Sequence, residues 1–219
     1  QSFMTRQTYE FLCEQDCVHL IPVTTRSKAQ YERIDVFRKR LYCEYALICN
    51  GGILLIDGIE DPKWYSETLS LISTEMPELQ AIKKLTQQIL PASSLHDVCG
   101  LFFYIRHENP ALFAKQLRGI AHPMKICILH DRHKVYCLPS TLNKGKAVER
   151  FAERFGEAIS IAAGDSEFDI PMLIRADTRI IPPALKQQLP SKNTITIPSS
   201  VFSDGICDYL KYNSEKRNP

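Results

Sequence analysis

The stretch that most restricts what this chain can fold into is AISIAAGDSEFDIPML, residues 158–173, in which an apolar run stops at Gly164 and two acids, Asp165 and Asp169, follow. An apolar run closed by glycine reads as a buried strand, and DIPMLIRAD, residues 169–177, reads as a short helix after it. In open α/β sheets ligands bind beyond the carboxyl ends of the strands, which is where these acids fall. Two carboxylates about 5 Å apart repel by roughly 3 kcal/mol at an effective dielectric near 20. A divalent cation turns that repulsion into attraction, and Mg2+ takes hard oxygen ligands of this kind. The competing reading is local: Asp165 or Ser166 caps the helix that follows.

The same alternation runs along much of the chain. Thr5–Gln15 has helical spacing, Val18–Val23 is a largely apolar run, Lys28–Lys39 is helix-like, and YALICNGG is a strand stopping at Asn50-Gly51-Gly52. Short apolar strands between helices predict an α/β core, Rossmann-like, with a mostly parallel sheet and helices on both faces. The middle differs. Pro62–Leu90 reads as helix, broken at Pro77; Leu101–Glu108 reads as a strand; Pro110 suits the first turn of another helix; and KICILH and KVYCLP flank a hairpin turn, Asp131-Arg132-His133. This predicts an inserted α+β cap domain at residues 58–138, with the core formed by residues 1–57 and 139–219. After it, LNKGKAVERFAERFG is a helix with Ala147, Val148, Phe151, Ala152 and Phe155 on one face, closed by Gly156. TRIIPP and NTITIP are further apolar segments, and the tail SEKRNP is expected to be disordered.

The charge balance, +2 over 219 residues, is too small to imply nucleic acid or an anionic membrane as partner. No run of about 18 uncharged apolar residues is present, and no signal peptide is visible. The eight cysteines form no CxxC pair and mostly sit in apolar runs, which predicts buried, reduced thiols in a cytoplasmic protein.

Two further clusters carry chemistry. Lys144, in NKGK, stands at the start of the helix that precedes the acid-bearing strand. The macrodipole disfavours a cation there, whereas an anion would be held by both the lysine and the exposed backbone N–H groups. Lys146 lies further into the helix and is expected to face water. Thr24, Thr25, Arg26 and Ser27 end the Val18–Val23 run, where hydroxyls and amides can donate to phosphate oxygens, or where Ser27 simply caps a helix. Hydroxyls, a lysine and paired acids, all at strand or helix edges, together point to magnesium-assisted phosphoryl transfer.

In these motifs the chain resembles the haloacid dehalogenase (HAD) superfamily of phosphohydrolases, in the Cof-like and sucrose-phosphate-phosphatase-like branch with a C2-type cap. PVTTRS resembles the second family motif, which implies a phosphate-binding role for Thr24, with Thr25 and Arg26 beside it. ICNGG resembles the Asn-Gly leading into the cap, which implies phosphate- or substrate-side roles for Asn50 and Gly51. LNKGKAV resembles the third motif, with Lys144 as the phosphate-neutralising lysine. AAGDSEFDIPML resembles the fourth, with Asp165 binding magnesium and Asp169 supporting it. SDGI, residues 203–206, resembles a C-terminal family segment. Thr25 stands where the family usually has Gly, and Phe168 where Asn is common.

The family's nucleophile, the first Asp of an Asp-x-Asp pair closing a central strand, has no counterpart before Thr24. The sequence starts QSFMTRQTYEF, without an initiator Met, so the expectation is that a short N-terminal piece carrying that pair was trimmed. The resemblance then implies a Mg2+-dependent phosphatase of a small phosphorylated metabolite, a phosphosugar, acting through an aspartyl-phosphate under a closing cap. A phosphosugar mutase, a non-catalytic phosphate- or partner-binding protein, and a receiver- or flavodoxin-like domain are the other readings. Arg106, His107, Arg132 and His133 are cap residues placed to meet a ligand, or else solvated charges.

Overall fold

The computed structural model describes residues 4–14, 19–39, 41, 43–198 and 200–217. Gln15, Cys17 and Val18 lie outside them. Helix α1 (Arg6–Glu14) comes first, followed by an extended segment in which Val23 makes a parallel bridge to Leu47. The stretch expected as one helix over 28–39 is two, α2 (Lys28–Tyr31) and α3 (Asp35–Lys39). Ser27 starts the first of them through a capping box with Gln30.

Strand β1 (Tyr45–Ile48) runs into a tight turn at Cys49, Asn50 and Gly51, whose φ values are 53°, 60° and 87°. Three successive left-handed residues reverse the chain at once, so β2 (Ile53–Ile56) and the short β3 (Ile59–Glu60) pair antiparallel to what precedes them. A parallel return would have needed a crossover of a dozen residues or more. The β1-β2-β3 sheet is thus antiparallel, with one parallel bridge at Val23, where the apolar alternation alone predicts parallel pairing.

Asp61 starts α4 (Pro62–Ile72), accepting from the Trp64 N–H at 2.7 Å and from the Arg154 guanidinium at 2.6 Å. The break before α5 (Met76–Ile89) falls at residues 73–75 and not at Pro77, because Pro77 occupies the first turn of α5, where its missing N–H costs nothing. The Arg154 guanidinium holds the Asp61 carboxyl below the usual carboxylate range. A lowered acid contributes its full stability above the unfolded value, near pH 4, and loses it as the pH falls through the folded value. Asp61→Ala is therefore expected to cost about 1–2 kcal/mol at pH 7 and to become neutral in strong acid, as read by urea melts at each pH.

A second, four-stranded antiparallel sheet follows, built from β4 (Leu95–Val98), β5 (Phe102–Arg106), β6 (Ile126–Asp131) and β7 (Lys134–Pro139) in the order β4-β5-β7-β6, with α6 (Pro110–Ala121) between β5 and β6. Strand β4 has no signature in the sequence, since LHDV buries only Val98. Asp131 pairs with Lys134, so the hairpin turn is Arg132-His133, with Arg132 at φ 50°.

Helix α7 (Lys144–Phe155) is capped by the Asn143 side chain on the Lys146 N–H and ends on left-handed Gly156, φ 72°. Ala147, Val148 and Phe151 are buried as expected, with Ala152 and Phe155 at the margin. Strand β8 (Ile161–Ala163), α8 (Ile170–Arg175), β9 (Thr178–Ile181) and β10 (Thr194–Thr196) complete a parallel sheet in the order β10-β9-β8. The tail expected to be disordered continues α9 (Phe202–Arg217), and only Asn218 and Pro219 lie beyond the described residues. That helix is tied to α1, where the Thr8 hydroxyl donates to Asp204 at 2.6 Å and Gln7 to Asp208 at 2.7 Å.

One apolar cluster joins Leu47, Leu54, Trp64, Phe151 and Leu173. Another joins Ile48 and Cys49 to Phe102, Tyr104 and Tyr136 of the second sheet and to Phe168. The two sheets thus share core, and β6–β7 is held against the end of β8. The thiols divide: Cys49, Cys137 and Cys207 are buried and Cys43 is intermediate, but Cys13, Cys99 and Cys127 are exposed, where the apolar runs predict mostly buried thiols. Among the described residues no helix is long and apolar enough to cross a membrane.

Candidate active site

A cavity of about 470 Å³ opens at the carboxyl end of β8. Its walls are Val23 and Thr25, the Ala163–Ser166 turn with Phe168 and Asp169, Lys144 from α7, Asp131, Arg132 and Tyr136 from the β6–β7 hairpin, and Phe202 and Ile206 from α9. Lys144 and both acids after Gly164 therefore share one cleft.

The acids do not do the same work. Asp169 is 5% exposed and Lys144 7%, and Lys144 Nζ donates to Asp169 Oδ1 at 2.5 Å. Asp169 Oδ2 accepts from the Asp165 N–H at 3.1 Å, the Ser166 N–H at 3.0 Å and the Ser166 hydroxyl at 2.8 Å. Four donors thus neutralise Asp169 from within the chain. The same pair offsets the penalty of a cation at the start of α7. Close packing makes this possible: a Cβ on Gly164 would lie 2.3 Å from Asp169 Cβ, and one on Gly145 would lie 2.3 Å from the Pro171 carbonyl oxygen.

Asp165 is exposed and its carboxylate makes no hydrogen bond among the described residues. The two acids expected as a metal pair thus differ in their surroundings: both Asp169 oxygens accept from protein donors, whereas the Asp165 carboxylate is open to the cleft. Among the described residues no group of three or more His, Cys, Asp or Glu forms a ready cage. Magnesium is commonly held by one or two carboxylates together with substrate phosphate and water, and Asp165 fits the part of single protein anchor.

The hydroxyl cluster also sorts differently. Thr24 is committed to the scaffold: its N–H donates to Leu47 at 2.9 Å, its carbonyl accepts from Asn50 at 2.8 Å, and its hydroxyl accepts from the Arg26 N–H at 3.2 Å. It is Thr25 that lines the cavity, hydrogen-bonded to the Tyr136 phenol, whose pKa burial pushes up to about 12. Arg26 accepts at its carbonyl from the Cys49 N–H at 2.8 Å, and its charge acts on Tyr136 and Lys134. Asn50 is buried, donating to the Leu142 carbonyl at 2.7 Å, while Gly51 accepts from Trp64 Nε1 at 3.0 Å. Thr24, Arg26, Asn50 and Gly51 are not among the residues of the cavity wall. Lys146 pairs with Glu149 at 3.2 Å on the outer face, as expected.

Of Arg106, His107, Arg132 and His133, Arg132 lines the cavity. His107 instead stacks on Phe113 at 4.5 Å. Sequence reasoning did not reach Tyr136 or the reason for Phe168. Their rings meet edge-on at 5.0 Å, fastening the acid turn to β7. Nothing in KVYCLP distinguishes that tyrosine from any other strand aromatic, and only tertiary pairing marks it.

No family model matches the chain, and no curated protein matches its sequence. Solved structures do match its fold. The sucrose-phosphatase of Synechocystis sp. PCC6803, solved with sucrose and phosphate, superposes with a TM-score of 0.72 at 18% identity over 97% of this chain and 93% of that one. A haloacid dehalogenase-like hydrolase from B. subtilis gives 0.61 at 14% identity over 95% and 93%. A phosphatase of the haloalkanoate (HAD) enzyme superfamily from Bacteroides thetaiotaomicron gives 0.60 at 14% over 96% and 88%. The chain therefore has the fold of the HAD phosphohydrolases, a Rossmann-like core with a cap, in the form shared by the sucrose-phosphatase and the Cof-like sugar phosphatases.

Proposed function

We propose that the protein is a magnesium-dependent phosphatase of a small phosphorylated metabolite, most simply a phosphosugar. The observation that carries this reading is the convergence of a buried, carboxylate-held Lys144 and an uncommitted Asp165 on one cleft at a strand end. Lys144 would meet a phosphoryl oxygen with an ammonium already oriented by Asp169, so no ordering is needed at the moment of reaction. The Thr25 hydroxyl stands across the same cavity as a hydrogen-bonding partner for the substrate. Asp165 would hold Mg2+, which would supply positive charge to the transferring group. The cap is assigned to residues 58–138, and its Arg132 would contact the substrate beyond the phosphate.

Besides Asp165 and Asp169 the cleft wall carries the carboxylate of Asp131, on the β6–β7 hairpin, and the reading gives the attack on phosphorus to none of these three. Val23, bridged to β1, and Ala163, in β8, both line the cavity, and the reading puts the nucleophile on a strand between these two segments. Its Asp would displace the alcohol from phosphorus, and water would then hydrolyse the aspartyl-phosphate.

The test is a phosphate-release screen over phosphosugars, using the full-length protein, with and without Mg2+ and with Asp165→Ala as control. Turnover abolished by chelation and by the substitution supports the reading, whereas turnover surviving both defeats it. Phosphate binding without turnover would favour a non-catalytic binding protein, and phosphate moved within the sugar would favour a mutase. Arg132→Ala is expected to raise KM about tenfold or more with a smaller change in kcat, measured by steady-state kinetics on the best substrate.

A further inference from the structure

Two turns that are 50 residues apart in sequence bring Cys49 and Cys99 together, Sγ to Sγ at 3.4 Å. Cys49 begins the tight turn after β1 and is fully buried, while Cys99 lies in the turn between β4 and β5 and is exposed. Both residues hold left-handed backbone, φ 53° and 54°. The Cys99 turn is braced by the Tyr65 hydroxyl on the Cys99 carbonyl at 3.0 Å and by Asp97 on the Gly100 N–H at 2.8 Å. We infer that Cys49 and Cys99 form a reversible thiol–disulfide clip that fixes the antiparallel sheet against the end of β1.

The pair suits that chemistry. The Cys49 S–H donates to Cys99 and lowers the Cys99 thiol to about 7, so its thiolate is populated near neutrality, whereas Cys49 is pushed up. An exposed thiolate beside a resolving thiol is the arrangement of a redox-sensitive site. With hydrogen peroxide as oxidant, the Cys99 thiolate attacks one oxygen and breaks the O–O bond. It becomes a sulfenic acid as hydroxide leaves and takes up a proton to form water. The Cys49 sulfur then displaces the sulfenic hydroxyl, which departs with the Cys49 proton as a second water. Two thiols and one peroxide give one disulfide and two waters, and a dithiol reverses the step. A bond of about 2.05 Å requires the sulfurs to close by only about 1.4 Å.

The consequence falls on the cavity. The Cys49 N–H is bonded to Arg26, and the clamped sheet carries Asp131, Arg132 and Tyr136 in the cavity wall. A covalent tie there would lock the wall that a cap must move to admit substrate. This effect on turnover rests on the proposed function, but formation of the clip does not.

The test treats the full protein with hydrogen peroxide, blocks remaining thiols, digests it without reductant and maps cross-linked peptides by mass spectrometry. A Cys49–Cys99 peptide that dithiothreitol removes, that is absent from Cys99→Ser and from Cys49→Ala, and that accompanies a thermal midpoint about 5–10 °C higher would support the clip. Cys99 driven to sulfinic acid with Cys49 still alkylatable after unfolding would overturn it. On the substrate found above, the oxidised protein is expected to lose turnover at least tenfold and regain it with dithiothreitol. Equal turnover in both states would refute the locking effect. A reduced protein inactive on every phosphosugar would count against the phosphatase reading while leaving the peptide result intact.

Discussion

Lys144→Met is expected to destabilise the protein by about 3 kcal/mol, more than any change to an exposed side chain of the cavity. Methionine keeps the length of the stem and removes the ammonium. It leaves Asp169 Oδ1 buried without its partner, in a residue only 5% exposed. The loss is set below the upper range for broken buried pairs because three donors still reach Oδ2. Asp169→Asn is expected to cost a similar amount for a different reason: an amide keeps one acceptor oxygen and cannot satisfy both the lysine and the Asp165–Ser166 turn. If the pair acts as a unit, the double variant falls short of the sum by about 1.5–3 kcal/mol, read from urea melts of all four proteins. Additive losses would show that Lys144 and Asp169 do not hold each other. Asp165→Ala is the contrasting case. Its carboxylate is exposed and makes no hydrogen bond among the described residues, so stability should change by less than about 0.5 kcal/mol while phosphate release is lost. Stability and activity then separate between two acids four positions apart.

That separation marks the limit of what the chain's letters disclose. The strand, the glycine stop and the acid pair after it were legible because apolar patterning and a small residue at a close approach leave direct traces. So was α7, whose stripe, Asn143 start and Gly156 stop all agree. What the letters could not show was which oxygen met which donor. GDSEFD displays two like charges and invites a metal between them, but the compensating ammonium comes from 25 residues upstream and meets Asp169 only once α7 packs on α8. Similarly, TTRS offers two adjacent hydroxyls. In an extended segment neighbouring side chains point opposite ways, and the register set by the Val23–Leu47 bridge turns Thr25 and not Thr24 to the cavity. At Asn50-Gly51 the letters disclose the strand stop but not the hairpin, because positive φ at Cys49 and Asn50 leaves no compositional mark beyond the glycines. Tyr136 and Phe168 were invisible for a simpler reason: their contact joins β7 to the acid turn after β8, 32 residues further along the chain.

Gly51→Ala is expected to cost about 3–5 kcal/mol, through two separable causes. Backbone conformation is one: at φ 87° an L side chain is strained by about 1–2 kcal/mol. Space is the other, since an added Cβ would sit 2.1 Å from Ala147 Cβ, well inside contact distance. Neither atom can swing aside, because one belongs to a buried turn whose carbonyl is held by Trp64 and the other to the buried face of α7. The helix would have to back away from the turn, and Lys144 stands at its first position. Activity should therefore fall further than the lost stability explains, with KM for the phosphate-bearing substrate rising as the ammonium leaves its place. The variant Ala147→Gly supplies the missing room while costing about 1 kcal/mol as a glycine inside a helix. Gly51→Ala/Ala147→Gly should then recover KM and the steric share of stability but keep the backbone share, a residual deficit of about 2–3 kcal/mol relative to the parent. If the double variant is no better than Gly51→Ala alone, the close approach of α7 to this turn is not what sets the position of Lys144.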